Sequence, residues 1–335
     1  MTLALSFMEK SVLPVLEFYD QLSDSYDQMI SWPTRIGTEG SFFKKLTTDY
    51  KIKSSLDIAC STGFHVIMFR RLGLDAVGVD ASPKMIEKAR ANAVTCGVTV
   101  EFILGDFTTL SKRFSEGFDI ITCLGDTISH LRTKPELKKA LQEIYKCLNP
   151  GGLFVLQNRN YDHLIRNRIR FFPPTGSRNG SEETLFFRLL DFNPKSIDFS
   201  IVTFHRHENR WDSVVRTAEI FPYFKSDLEG LLRGVGFKKT DFYRNFNFED
   251  YDKNGPDLIV VCEKKGTLKG KLPAKSAASI GKANRASKVI SPKAREVMHS
   301  KPSPRVSPQR QHPASSKEMG KAIAKSTKPR RKKSR

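Results

Sequence analysis

Ser55-Leu56-Asp57-Ile58-Ala59-Cys60-Ser61-Thr62-Gly63, followed by Phe64 to Leu72, decides the fold. The first five residues read as a buried strand, and the segment from Phe64 reads as a helix. Between them lies a turn of small residues. Such a turn lets a ligand approach the backbone, and the helix start offers unpaired N–H groups. Leu74 to Val79 is a second strand, and Asp80 closes it. A carboxylate there is placed to hold the two ribose hydroxyls of a nucleoside. Gly63 and Asp80 are 17 positions apart, near the ~20 expected of such a unit. The turn is not a GxGxxG, which disfavours a dinucleotide.

The pattern continues outward. Ser82-Pro83 opens a helix, with serine as the cap and proline in the first turn. Val98 to Leu104 and Phe118 to Leu124 are strands, the latter a continuous apolar run suited to burial on both faces. Pro135 to Leu148 is an amphipathic helix with Leu137, Leu141, Ile144 and Leu148 on one stripe. Asn149-Pro150-Gly151-Gly152 stops it, and Leu153 to Leu156 is the next strand. Strand and helix alternating at this spacing predict a doubly wound α/β sheet. Leu185 to Phe192, Ser196 to His207 and Trp211 to Phe221 are instead β-rich, with turns at 193–195 and 208–210. They predict a small antiparallel sheet inserted in the α/β order. Ser226 to Val235 is a helix, and 237–243 and 257–262 are the closing strands.

The first turn resembles the first motif of the class I S-adenosylmethionine (SAM) methyltransferases. Further signals follow in that family's order: Gly105-Asp106-Phe107, Cys123-Leu124-Gly125-Asp126 and Leu148-Asn149-Pro150-Gly151-Gly152. The run 123–131, ending in His130-Leu131, and Asn158-Arg159-Asn160-Tyr161-Asp162 are similar to the glycine/sarcosine N-methyltransferase group. The likeness covers roughly 19–263. It implies a Rossmann-like sheet of seven strands, the last antiparallel, with an antiparallel lid. Expected boundaries are an N-terminal helical cap over 1–52, the methyltransferase domain over 53–263 with its lid at about 160–222, and a tail over 264–335.

What the resemblance implies for the site is specific. SAM would be held by Trp32, Arg35, Asp57, Ala59, Ser61, Gly63, Asp80, Ala81, Met85, Asp106, Phe107, Leu124 and Gly125. Tyr26, Trp32 and Arg35 would close over it, with Arg35 reaching its carboxylate. Arg159 would grip the acceptor's carboxylate and Tyr161 would touch the acceptor. Tyr26, Asp126 and His130 would stand at the methyl-transfer point. Blander roles fit too: Asp106 as a helix cap, His130 as a structural histidine, Tyr161 as packing. Two residues depart from the family pattern. Ser61 takes the place of a glycine and costs up to ~1–2 kcal/mol if its φ is positive. Asp126 takes the place of an asparagine, so it acts as a base or recognises a different substrate. The expected reaction is in-line displacement onto a neutral nitrogen of a small amine, with no metal.

Composition separates the core from the tail. The chain has 335 residues, 56 Lys+Arg and 36 Asp+Glu. Residues 264–335 hold 22 of the bases and only Glu296 and Glu318 as acids, so the tail carries the whole net charge of +20. It has no Phe, Tyr or Trp, and a disordered basic arm is expected. Ser291-Pro292-Lys293, Ser303-Pro304-Arg305 and the run 328–335 resemble linker-histone-like tails. That predicts salt-sensitive, non-specific contact with nucleic acid. It keeps two rival functions open: a methyltransferase of nucleic acid or its associated proteins, and a non-catalytic SAM-binding, DNA-associated module. Five cysteines without a CxxC pair disfavour a disulfide framework. With no signal peptide and no apolar run of ~18–20 residues, a cytoplasmic protein is expected, with nuclear or nucleoid association open through the tail. The family's habit of assembling leaves a homo-oligomer open.

Overall fold

The computed structural model describes residues 11–208 and 210–266. Two helices come first, α1 Val15–Ile30 and α2 Trp32–Asp49, joined through Ser31 in a left-handed conformation. The sheet region follows as β1 Ser54–Ile58, α3 Phe64–Arg71, β2 Asp75–Asp80, α4 Pro83–Thr95, β3 Glu101–Leu104, β4 Phe118–Cys123, α5 Lys134–Cys147 and β5 Leu148–Arg159. The chain then runs through α6 Tyr161–Arg166 and the strands β6 Thr175–Asn179, β7 Glu182–Phe192, β8 Ile197–His207 and β9 Arg210–Ile220. It closes with α7 Lys225–Val235, β10 Phe237–Tyr243 and β11 Asp257–Lys264.

The main sheet has seven strands in the order β10-β11-β5-β4-β1-β2-β3. β11 is antiparallel to both its neighbours, and β1, β2, β3, β4 and β5 run parallel. This is the expected class I methyltransferase sheet. The strand order reverses at β1, which lies between β4 and β2. Ligands of open α/β sheets bind beyond the carboxyl ends of the strands at such a switch point. The helices form where their caps allow. Ser82 accepts the Met85 N–H at the start of α4, and Thr133 with Glu136 forms a capping box at α5. Leu137, Leu141 and Ile144 of α5 are buried against β4 and β5 residues such as Ile121 and Phe154. Phe42 and Phe43 of α2 and Phe69 of α3 fill the opposite layer.

β6 to β9 form a separate antiparallel sheet between β5 and α7. Phe186, Leu190, Phe199, Ile201 and Ala218 on one face bury against Phe18 and Leu22 of α1 and Leu164 of α6. That packing positions α1 over the carboxyl ends of the main sheet.

Three local features differ from the sequence reading. β5 begins at Leu148, which pairs with Phe118 before a bulge over 149–152 where Gly151 takes φ 79°; the ladder resumes at Leu153 opposite Ile120, and Asn149 Nδ2 donates to Asp119 Oδ1 at 2.8 Å. β6 was not expected, since Thr175 to Asn179 lacks apolar alternation. Gly176 lets it pair closely: a Cβ there would lie 2.5 Å from the Thr184 carbonyl. α6 is a six-residue helix capped by Asn160, too short to show a period. Among the described residues no helix is long and apolar enough to cross a membrane. The basic tail lies outside the described residues from 267 onward, as do residues 1–10.

Candidate cofactor and acceptor site

The β1–α3 turn adopts an unusual backbone. Ala59, Ser61 and Gly63 have φ of 60°, 52° and 87°. The positive φ at Ser61 is the strained case foreseen from the sequence. Gly63 is required twice over, because a Cβ would also lie 2.7 Å from the Phe102 ring. Asp80 stabilises the turn: its Oδ2 accepts the Ser61 N–H at 2.7 Å and its Oδ1 accepts the Ser82 N–H at 2.9 Å. Burial pushes the Asp80 carboxyl up against the pull of these N–H donors.

A cleft opens between this turn and α1. Ala59, Ser61, Asp80, Ala81, Met85, Phe107, Leu124 and Gly125 line it from the sheet side. Tyr26 and His130 also line it, as do Val15, Leu16, Tyr19, Ser82 and Thr127, which the sequence reading did not select. Tyr19 and Tyr26 are seven residues apart, two turns along one helix face. That spacing was the available signal.

α1 is tied down by two carboxylates, also seven apart. Asp20 accepts the Ser82 hydroxyl. Asp27 accepts from Thr62 Oγ1, from Trp32 Nε1 at 3.0 Å and from Asn92 Nδ2 at 2.8 Å. Tyr19 shares a 2.8 Å hydrogen bond with His130 Nε2. Burial raises both Tyr19 and Tyr26 above the ordinary phenol value, so both keep their protons. Burial, helped by Arg159 and opposed by Asp126, lowers His130 to about 4.

Other selected residues stand away from the cleft wall. Asp57 is 2% exposed; its Oδ1 accepts the Thr122 hydroxyl at 2.6 Å and its Oδ2 lies 3.7 Å from His65 Nδ1. Trp32 packs edge-on against Phe64 and donates to Asp27, so it braces the turn from behind. Arg35 lies over the same Phe64 ring and donates to Glu39 at 2.7 Å. Burial raises the Glu39 carboxyl, but His65 and Arg35 more than reverse this and hold it at about 2. Asp106 is exposed and accepts the Thr108 N–H, while its neighbour Phe107 faces the cleft.

Asp126, at φ 70°, is engaged by its own chain. Its Oδ2 accepts from Arg159 Nε at 3.0 Å and Tyr161 OH at 2.8 Å. Its Oδ1 accepts from the Arg159 N–H at 3.0 Å and Ser129 Oγ at 3.1 Å. Asp126, Arg159 and Tyr161 are thus brought together, but as one closed network beside the cleft. Arg159 also lies over Phe172 at 4.2 Å and Phe199 at 4.9 Å. Among the described residues no group of three or more His, Cys, Asp or Glu side chains could hold a metal ion.

Comparison with known proteins agrees with this architecture. A family model described as a methyltransferase domain matches residues 56–152. The glycine/sarcosine N-methyltransferase of Aphanothece halophytica is 30% identical over 251 residues, covering 74% of this chain and 90% of that protein. The glycine/sarcosine N-methyltransferase of Parasynechococcus marenigrum is also 30% identical, over 74% of this chain and 84% of its own. A crystal structure of an S-adenosylmethionine-dependent methyltransferase from Clostridium acetobutylicum superposes with a TM-score of 0.62 at 18% identity. It covers 74% of this chain and 99% of its own, and shows the shared fold.

The buried imidazole has a measurable consequence. As pH falls, unfolded chains protonate His130 near its ordinary 6.5, while folded chains hold it neutral down to about 4. The unfolded state binds more protons in this window, so stability falls with decreasing pH. Replacing His130→Gln should remove up to about 3 kcal/mol of that acid sensitivity. Urea denaturation between pH 7 and 4.5 reads it directly, and parallel curves for variant and wild type would contradict a buried neutral His130.

Proposed function

The chain belongs to the glycine/sarcosine N-methyltransferase family of SAM-dependent methyltransferases, and from that premise we propose that it methylates the amine nitrogen of a small, amino-acid-like acceptor. The observation that carries the reading is the cleft roofed by α1, which is fastened over the β1–α3 turn and the start of α4 through Asp27 and Asp20. A polymer strand would have to displace Asp20 and Asp27 from their partners.

The residues present fit SAM by the chemistry of their donors. Met85, Phe107 and Leu124 offer apolar walls for a purine, and Asp80 offers an anionic edge for a ribose diol. Arg35, behind Phe64, carries a positive charge near Tyr26 for the carboxylate end. When bound, SAM supplies a sulfonium methyl open to nucleophilic attack. The protein orients the two partners and excludes water. Tyr19 and Tyr26, kept protonated, present hydroxyls to the reacting end, and neutral His130 fixes the Tyr19 hydroxyl. Asp126 acts by holding Arg159 and Tyr161 in place. The acceptor nitrogen attacks as the free amine, so its proton is lost before transfer.

Two experiments test this. Labelled SAM is offered with glycine, sarcosine, other small amines, RNA, DNA and basic proteins to the full chain. Label should enter a small amine; label only in a macromolecule would overturn the acceptor assignment and bring the basic tail into substrate recognition. Asp80→Asn should weaken SAM binding roughly 10- to 100-fold, since charge-assisted hydrogen bonds are lost. Calorimetric titration measures it, and unchanged affinity would contradict the role given to Asp80.

A further inference from the structure

We propose that Arg188 grips a carboxylate of the methyl acceptor and so determines which amines the enzyme takes. The proposal rests on the small-amine reading above and adds to it the residue and the charge of the group recognised.

Arg188 is a cation in the middle of an apolar strand, between Phe186 and Leu190 on the same face of β7. The register sets it opposite Ile201, which is buried in the cluster shared with α1. Side chains on one face of a strand alternate, so Arg188 projects from the face that packs toward α1. Its guanidinium carbon lies 5.7 Å from the centre of the Phe172 ring, and that of Arg159 lies 4.2 Å from the same centre. The two cations therefore stand within about 10 Å of each other.

Their partners differ. The Arg159 charge is answered by Asp126 at 3.0 Å. Arg188 donates from Nη2 to the Pro173 carbonyl at 3.2 Å, while its Nε is buried with no partner. No carboxylate among the described residues pairs with it. Burial and the neighbouring Arg159 both push its guanidinium below the ordinary arginine value, and Tyr26 of the cleft wall is the opposing influence. A half-buried cation with a buried, unused donor and no anion beside it is costly. A carboxylate meets that need, because its two oxygens match the fork of a guanidinium. Arg188 shares the Phe172 ring with Arg159, on the sheet face that packs against the α1 helix carrying Tyr19 and Tyr26, so we place the carboxylate of the acceptor beside that ring. Glycine and its N-methyl derivatives carry the required carboxylate one carbon from the nitrogen; glycinamide offers the same nitrogen without the charge.

The test uses the full chain. Arg188→Ala and Arg188→Met should raise KM for glycine roughly 10- to 100-fold, the loss of a hydrogen bond to a charged group. KM for glycinamide, SAM affinity and melting temperature should stay as in wild type. Acetate binding, followed by NMR in the presence of S-adenosylhomocysteine, gives a readout independent of turnover. It should be present in wild type and lost in both variants. Unchanged glycine KM in both variants, or an equal rise for glycine and glycinamide, would overturn the proposal while leaving the small-amine reading intact. Arg188-dependent acetate binding in a wild type that methylates no small amine would support the carboxylate site and sink the acceptor assignment. No acetate binding and no methylation would overturn both.

Discussion

Everything at the site depends on the Asp80 carboxylate accepting two backbone N–H groups, from Ser61 and Ser82. The β1–α3 turn carries left-handed residues at 59, 61 and 63, and two of them are not glycine. Each such residue costs about 1–2 kcal/mol, so the turn keeps its shape only while something outside it holds it. Asp80 does this from the end of the neighbouring strand, helped by the Cys60 N–H on the Val79 carbonyl. The same bonds set Ser82, which caps α4 and receives α1 through Asp20. Turn, helix start and roof are therefore one mechanical unit, and the sheet order puts that unit at the switch point where ligands bind.

The charge pattern around the cleft follows a second logic. Carboxylates that lie behind the turn, Asp57 and Glu39, are buried and matched by Thr122, His65 and Arg35. Asp126 is matched by Arg159 and Tyr161. Apart from Asp80, the groups facing the cleft are hydroxyls, a neutral imidazole and apolar side chains. Such a setting, preorganised dipoles and apolar walls with a single carboxylate, would suit methyl transfer from a cationic donor.

The sheet was legible because its strands are short apolar runs separated by strong punctuation, such as Ser82-Pro83 and the 149–152 stop. The places of Ala59, Ser61, Asp80 and Gly125 on the cleft wall were legible for the same reason: they sit at or just beyond strand ends, and Met85 lies in the first turn of the helix that Ser82-Pro83 opens. α1 was not. Tyr19, Asp20 and Asp27 act through contacts with residues about 60–110 positions away, and no local pattern encodes them. The positions of Trp32 and Arg35 behind Phe64 met the same limit, since the bonds to Asp27 and Glu39 that fix them are tertiary or depend on buried partners. β6 was missed because an exposed edge strand needs no apolar alternation, and Arg188 because a lone arginine within an apolar run carries no motif.

The proposed reaction rests on one claim, that SAM occupies the cleft between the β1–α3 turn and α1. Hydrogen–deuterium exchange of the full chain, with and without S-adenosylhomocysteine, addresses it directly. Protection should appear together in residues 59–63, in 80–85 and along α1, with little change at β10. Protection confined to another part of the chain, or none in α1, would contradict the claim.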